Sequence, residues 1–113
     1  MPSVKTKEPV RYTIENINGK YYISDLFEIN EKTDVIRVMV LDKNSDIDKT
    51  VKKIYINGIE IDFKSYYSAY TGFNTNIICM TINEFLKSTN DLNVELIENS
   101  KIEIVLFFYK NKI

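Results

Sequence analysis

The stretch that decides the fold is residues 51–63, with the sequence VKKIYINGIEIDF. Two runs of alternating apolar residues flank Asn57 and Gly58. This pair tolerates the positive φ angles of a type I′ turn, and between alternating runs it is the strongest local signal for a β-hairpin. Because side chains alternate between the two faces of a strand, one side of this hairpin is apolar throughout. The residues predicted to share it are Ile54, Ile56, Ile59, Ile61 and Phe63. A second layer must cover such a face.

Working outward, residues 1–9 are polar and carry Pro2 and Pro9, so we predict an extended N-terminal arm over 1–9 and a single domain over 10–113. Residues 10–15 alternate as a half-buried strand does, and Asn18-Gly19 predicts a second hairpin to residues 20–24, with Ile14 opposite Ile23.

Three later strands are apolar on both faces, which is typical of central strands; they are residues 34–41, 76–82 and 101–109. Residues 93–97 and 101–109 are predicted to pair as a last hairpin around 98–100. A short helix is predicted near 84–88, with Asn83 as its cap.

This pattern gives seven to eight short strands, with a turn signal every eight to twelve residues or so. We therefore predict an all-β protein, a two-layer antiparallel β-sandwich of immunoglobulin-like architecture. An open barrel or a jelly roll is the alternative. No sequence motif identifies a family.

Composition excludes several classes of partner. The 113 residues include 15 basic and 16 acidic side chains, for a net charge of −1, and no basic stripe is visible. We therefore expect no nucleic-acid partner. No apolar run reaches the length of a membrane span, and the N-terminal sequence lacks the apolar region of a signal peptide. The prediction is synthesis inside the cell, with a virus particle as one destination, and no membrane partner.

The residue inventory also excludes much catalytic chemistry. The chain has no histidine and a single cysteine, Cys79, and its three glycines lie in separate turns. Imidazole catalysis, zinc or iron–sulfur cages and glycine-rich phosphate loops are therefore not expected. We predict no catalytic residues, no metal site and no cofactor. Cys79 lies in an apolar run and is predicted to be a small buried hydrophobic residue.

The loop from Asp42 to Asp48 resembles the start of a calcium-binding loop, Asp-x-Asn-x-Asp. Ile47 stands where that loop needs glycine, and Lys53 stands where it needs a bidentate glutamate. A solvated acidic loop is the preferred interpretation, and a looser cation site is the alternative.

Residues 66–73 are the tyrosine-rich part of the chain. Tyrosine supplies large contact area at low entropic cost, as it does in antibody paratopes. The residues predicted to contact protein are Tyr66, Tyr67, Tyr70 and Phe73. The alternative is an ordinary strand with some of these rings in the core.

These observations predict a non-enzymatic structural or assembly protein that contacts other protein subunits in a larger assembly. A virus or bacteriophage component is the specific form of the hypothesis: a capsid auxiliary or decoration protein, or a neck or tail protein. The alternative is a module that binds a ligand, a glycan or an enzyme, as an inhibitor does, through the tyrosine-rich surface. An enzyme that uses carboxylates alone is the third hypothesis.

Overall fold

The computed structural model describes residues 3–16, 22–43, 46–66 and 76–111. These residues form eight strands, a one-turn helix and a short 3-10 helix. The strands are β1 (Ser3–Asn16), β2 (Tyr22–Glu28), β3 (Val35–Leu41), β4 (Val51–Ile56), β5 (Ile59–Glu60), β6 (Ile77–Ile82), β7 (Thr89–Leu96) and β8 (Ser100–Asn111). Helix α1 is Ile47–Thr50, and the 3-10 helix is Phe63–Tyr66.

Two four-stranded antiparallel sheets pack face to face. The first sheet has the order β1-β8-β3-β6, and the second sheet has the order β2-β7-β4-β5. The core between them takes side chains from both sheets, among them Ile36 and Leu106 from the first and Ile54 and Val94 from the second. The predicted all-β sandwich is confirmed.

The connectivity is that of a jelly roll. β1 pairs with β8, β2 with β7, β3 with β6, and β4 with β5, all antiparallel. The described strands thus form one long antiparallel ribbon whose tip is the Asn57-Gly58 turn, and successive strand pairs alternate between the two sheets. Pairing of β8 with β3 joins two strand pairs into the first sheet, and pairing of β7 with β4 does the same in the second sheet. This is the eight-stranded double Greek key of jelly rolls, the alternative that the sequence left open, and not the immunoglobulin strand order.

The predicted central hairpin is present. Ile56 pairs with Ile59, and the φ angles of Asn57 and Gly58 are 53° and 78°, as a type I′ turn requires. Of the five apolar residues predicted to share its inner side, Ile54, Ile56, Ile61 and Phe63 are buried. Ile59 is 42% exposed because β5 is a two-residue strand at the edge of its sheet.

The other two predicted hairpins are wrong. Ile14 pairs with Ile102, and Ile23 pairs with Val94, so β1 and β2 lie in different sheets. The strands predicted to flank residues 98–100 also lie in different sheets, as β7 and β8. Wrapping the ribbon into two layers sends consecutive strands to opposite sheets, so these connections cross the sandwich.

Residues 3–9, placed in the N-terminal arm by the sequence, are extended and form the first half of β1. Ser3 pairs with Asn111 and Val4 with Lys110, and the register then shifts twice between Lys5 and Val10. β1 is an edge strand, where Pro9 is tolerated because its missing N–H group faces away from the ladder or falls at a bulge.

The helix predicted near 84–88 is absent, and the sandwich has its short helix at 47–50 instead. Phe85 has a φ angle of 55°, which lies outside the helical range. The backbone groups of this loop bond to side-chain amides. Asn90 accepts from Lys87 N at 2.7 Å and donates to Lys87 O at 2.6 Å, while Asn57 Nδ2 donates to Phe85 O at 2.5 Å.

Candidate protein-contact surface

The tyrosine-rich segment is the first candidate from the sequence. Tyr66 is the last residue of the 3-10 helix that follows the central hairpin, and its side chain is outside the described part of the chain. Tyr67, Tyr70 and Phe73 lie outside the described residues altogether. The prediction of a contact site at these four residues therefore stays a prediction.

Two carboxylates of the Asp42–Asp48 loop contact neighbouring side chains. Asp42 is 4% exposed, and its carboxylate accepts a hydrogen bond from the Thr50 hydroxyl. Asp46 Oδ2 lies 3.7 Å from Lys49 Nζ. Among residues 3–16, 22–43, 46–66 and 76–111, no group of three or more side chains is placed to hold a metal ion. The buried Asp42 departs from the fully solvated loop that the sequence favoured.

An apolar surface lies on the outer side of the first sheet. On β3 and β8 the even-numbered residues from Ile36 to Val40 and from Ile102 to Phe108 belong to the core, so the odd-numbered residues face outward. We define the outer apolar face by eight residues: Val35, Met39, Leu41, Ile77, Cys79, Val105, Phe107 and Tyr109.

Strand register makes this face continuous. Met39 has Val105 on one side and Cys79 on the other, and Leu41 pairs with Ile77. Val105 is 3% exposed although it lies outside the central core cluster. The neighbouring Phe107 and Met39 are half-buried. Contiguous outward apolar side chains across three strands are unusual, because one face of an antiparallel sheet is normally polar.

One arginine lies within the outer apolar face and another borders it. Arg37 pairs with Phe107 across the strands, and its guanidinium carbon lies 5.2 Å from the centroid of the Tyr109 ring. Arg11 Nη1 lies 3.7 Å from Glu103 Oε2. A depression of about 210 Å³ at the same end of the sheet as Glu103 extends the surface past Leu41. The face therefore combines aromatic, methionine and arginine side chains, the types enriched at protein interfaces.

The outer side of the second sheet is polar by comparison. Its central strands place Lys53, Tyr55, Asn93 and Glu95 outward. Tyr55, together with Glu60 and Glu95, raises the pKa of Lys53 above its ordinary value. Leu26 is an exposed apolar residue on the edge strand of this sheet. The two outer faces of the sandwich thus differ in kind: one is a charge-compensated polar surface and the other is apolar.

A second depression, of about 270 Å³, lies between β5 and the end of β6. Its lining includes three carboxylates, Glu60, Asp62 and Glu84, together with the exposed ring of Phe85. These three carboxylates are not placed to hold a metal ion together, as is true of every group of three or more such side chains in the described residues. The hypothesis of a carboxylate enzyme stays a prediction.

Cys79 belongs to the outer apolar face and not to the core. The sequence predicts a buried residue, whereas the structure leaves the thiol half-buried between its strand neighbours. The pattern of β6 explains this, because Ile78 and Met80 take the inward positions and Cys79 falls between them. Burial raises the pKa of the Cys79 thiol, and the nearby Arg37 opposes that change.

We expect Cys79 to react slowly with thiol reagents at neutral pH. A raised pKa leaves less thiolate, the reactive form, so the rate should rise with pH through a midpoint above that of an ordinary cysteine. Arg37→Gln should move this midpoint further up, because it removes the charge that favours the thiolate. The measurement is the initial rate of disulfide exchange against pH at low micromolar protein, with Lys53→Gln as the control on the other outer face. A midpoint at or below the ordinary value contradicts this account.

No protein-family model, curated protein or solved structure matches the chain. Within the described residues, neither helix has the length and apolar character needed to cross a membrane.

Proposed function

We propose that this protein is a non-enzymatic assembly subunit and that its outer apolar face is the surface through which it contacts other protein. The observation that carries the proposal is the contrast between the two outer faces. Val105, Met39 and Phe107 form an apolar centre on the first sheet, while the corresponding centre of the second sheet is made by Asn93 and Lys53.

The half-buried side chains of the outer apolar face leave apolar surface in contact with water. The largest contiguous apolar patch on a typical soluble monomer covers about 300–600 Å² and is often functional. Each Å² removed from water contributes about 25 cal/mol, so covering half-buried residues such as Met39 and Phe107 is favourable. Arg37, which lies between Val35 and Met39 on β3 and beside Tyr109, adds to the face an arginine, a residue type common among binding hot spots.

The more specific proposal is a virus or bacteriophage particle component, such as a capsid auxiliary, decoration, neck or tail protein. It is supported by the strand order, because eight-stranded jelly rolls recur in viral capsid domains. The same fold also serves lectins and cupins, so this support is an analogy at the level of the fold. No catalytic group, cofactor or nucleic acid enters the proposal.

The test is co-assembly. The tagged chain is co-expressed with the products of its neighbouring genes, and the mass of each complex is measured by size exclusion with light scattering. Met39→Lys, at the centre of the outer apolar face, should reduce the complexed fraction by about tenfold or more, since burying an unpaired charge is costly.

The matched control is Asn93→Lys, which adds the same charge at an outward position on the central β7 of the second sheet. It should leave assembly unchanged, and thermal melting by circular dichroism checks that both variants fold. If the protein enters no complex with any neighbouring product, or if Asn93→Lys disrupts assembly as much as Met39→Lys does, the proposal fails.

A further inference from the structure

We infer that the outer apolar face binds the same face of a second copy of this chain, in a symmetric pair whose two-fold axis runs parallel to the strands between β8 and β3. This inference rests on the proposed function and names the partner. A two-fold axis in that position places β8 of one copy over β3 of the other copy, at the same height along the strands. Each outward residue of β8 then lies against the outward residue of β3 that is already its cross-strand neighbour within one chain.

The side chains brought together in this way complement each other in size. Val105, which is 3% exposed, lies beneath Met39 of the second copy, and Val35, which is 5% exposed, lies beneath Tyr109 of the second copy. A large side chain therefore meets a small, recessed one in both rows. Alternation of large and small side chains across facing positions is what lets two layers interdigitate. Because packed sheets cross at roughly −30°, alignment is best near the centre of the face, at Val105 and Met39.

The pair also adds cation–π contacts. Phe107 lies against Arg37 of the second copy, and symmetry produces this contact twice. Arg37 already lies against the Tyr109 ring within its own chain, so its guanidinium is placed beside aromatic side chains before association. The Arg11–Glu103 pair compensates charge at the border of the face. The net charge of −1 means that two copies do not repel each other strongly.

The area of the face sets the strength of the pair. Three strands at about 4.8 Å spacing and seven residues at about 3.3 Å rise give a footprint on the order of 300 Å² for each copy. The total buried area is therefore on the order of 600–700 Å², which is far below that of obligate dimers and at the low end of weak, reversible interfaces. The pair should form at high micromolar concentration and dissociate on dilution.

The experiment is sedimentation velocity of the purified chain alone, from low micromolar to near-millimolar concentration. The natural chain should show a concentration-dependent monomer–dimer equilibrium. Arg37→Glu and Phe107→Lys should each weaken dimerisation by about tenfold or more, because the first removes the cation and the second sets a lysine against Arg37. The control Tyr55→Thr, on the other outer face, should leave the equilibrium unchanged.

Mixing the two variants provides the sharper test. In a mixed pair, the glutamate introduced by Arg37→Glu lies against the lysine introduced by Phe107→Lys, and the symmetry-related contact keeps its natural phenylalanine and arginine. Dimerisation should therefore recover relative to either variant alone. Recovery requires this axis and this register, and circular dichroism melting checks that each variant is folded. A natural chain that stays monomeric near millimolar concentration, or variants that do not recover on mixing, would overturn the inference.

Failure of the dimer and failure of the proposed assembly role give different experimental outcomes. If the purified chain is monomeric but Met39→Lys still abolishes co-assembly with a neighbouring product, the second copy is the wrong partner while the assembly role stands. If the chain dimerises as described but enters no larger assembly, the pair is correct and the assembly role fails.

Discussion

Replacing Phe108 by alanine is expected to lower the free energy of unfolding by about 3–5 kcal/mol. The side chain is 0% exposed on β8, a central strand of the first sheet, where it meets Phe27 of the opposite layer with ring centroids 6.3 Å apart. Lys7 Nζ lies 4.9 Å from the centroid of the same ring. Alanine would leave a cavity that this two-layer core cannot close without moving a strand. Since domains of this size have about 5–15 kcal/mol in all, a large part of the stability would be lost.

Phe107→Ala is the matched control, because it makes the same chemical change one residue earlier on β8. Phe107 faces outward and is half-buried, so we expect a loss of roughly 1 kcal/mol or less in the monomer. The chain has no tryptophan, so unfolding in urea is followed by far-UV circular dichroism, at low micromolar protein to keep the chain monomeric. Equal losses for the two variants would mean that the assignment of inner and outer faces on β8 is incorrect.

The alternation of apolar and polar residues along the sequence predicts which side chains share a face of a strand, but it does not predict which strands are neighbours in a sheet. Ile54, Ile56 and Ile61 were placed correctly because alternation and the Asn57-Gly58 turn are local signals. The pairing of Ile14 with Ile102 joins residues far apart in the chain, and no local pattern encodes it. The Asn18-Gly19 signal was misleading because turn chemistry reports a reversal of direction and not the sheet in which the chain continues.

The candidate surface was visible in the sequence but interpreted as interior. Val105 and Phe107 alternate with core residues of β8, and Met39 does so on β3, which is the pattern of a strand covered on both sides. In a two-layer sandwich the second layer covers only one face of a strand, and we propose that the second apolar face meets something outside the domain. Once the fold is known to have two layers, the same pattern predicts a contact surface. The tyrosine-rich segment carried the other site prediction, and it stays untested.

Asn57 has a second role that the turn signal does not reveal. Its Nδ2 donates to Phe85 O at 2.5 Å and to Asn90 Oδ1 at 2.9 Å, and its Oδ1 accepts from Asp91 N at 2.9 Å. The tip of the ribbon is thereby bonded to the loop before β7 and to the start of β7 itself. The amide side chain can do this because asparagine both donates and accepts, and it also tolerates the left-handed φ of 53°.

Asn57→Ala is therefore expected to lower the free energy of unfolding by about 3 kcal/mol, from roughly 0.5 kcal/mol for each of the three partly exposed side-chain hydrogen bonds and a further 1–2 kcal/mol or so for a left-handed alanine. Asn57→Gly separates these causes, because glycine adopts the same φ angle freely but forms none of the side-chain bonds. We expect it to lose about half as much stability as Asn57→Ala. In both variants the amide hydrogen of Asp91 should exchange faster with solvent, since its acceptor is gone. A glycine variant as stable as the natural chain, with unchanged exchange at Asp91, would show that Asn57 acts only through its backbone angle.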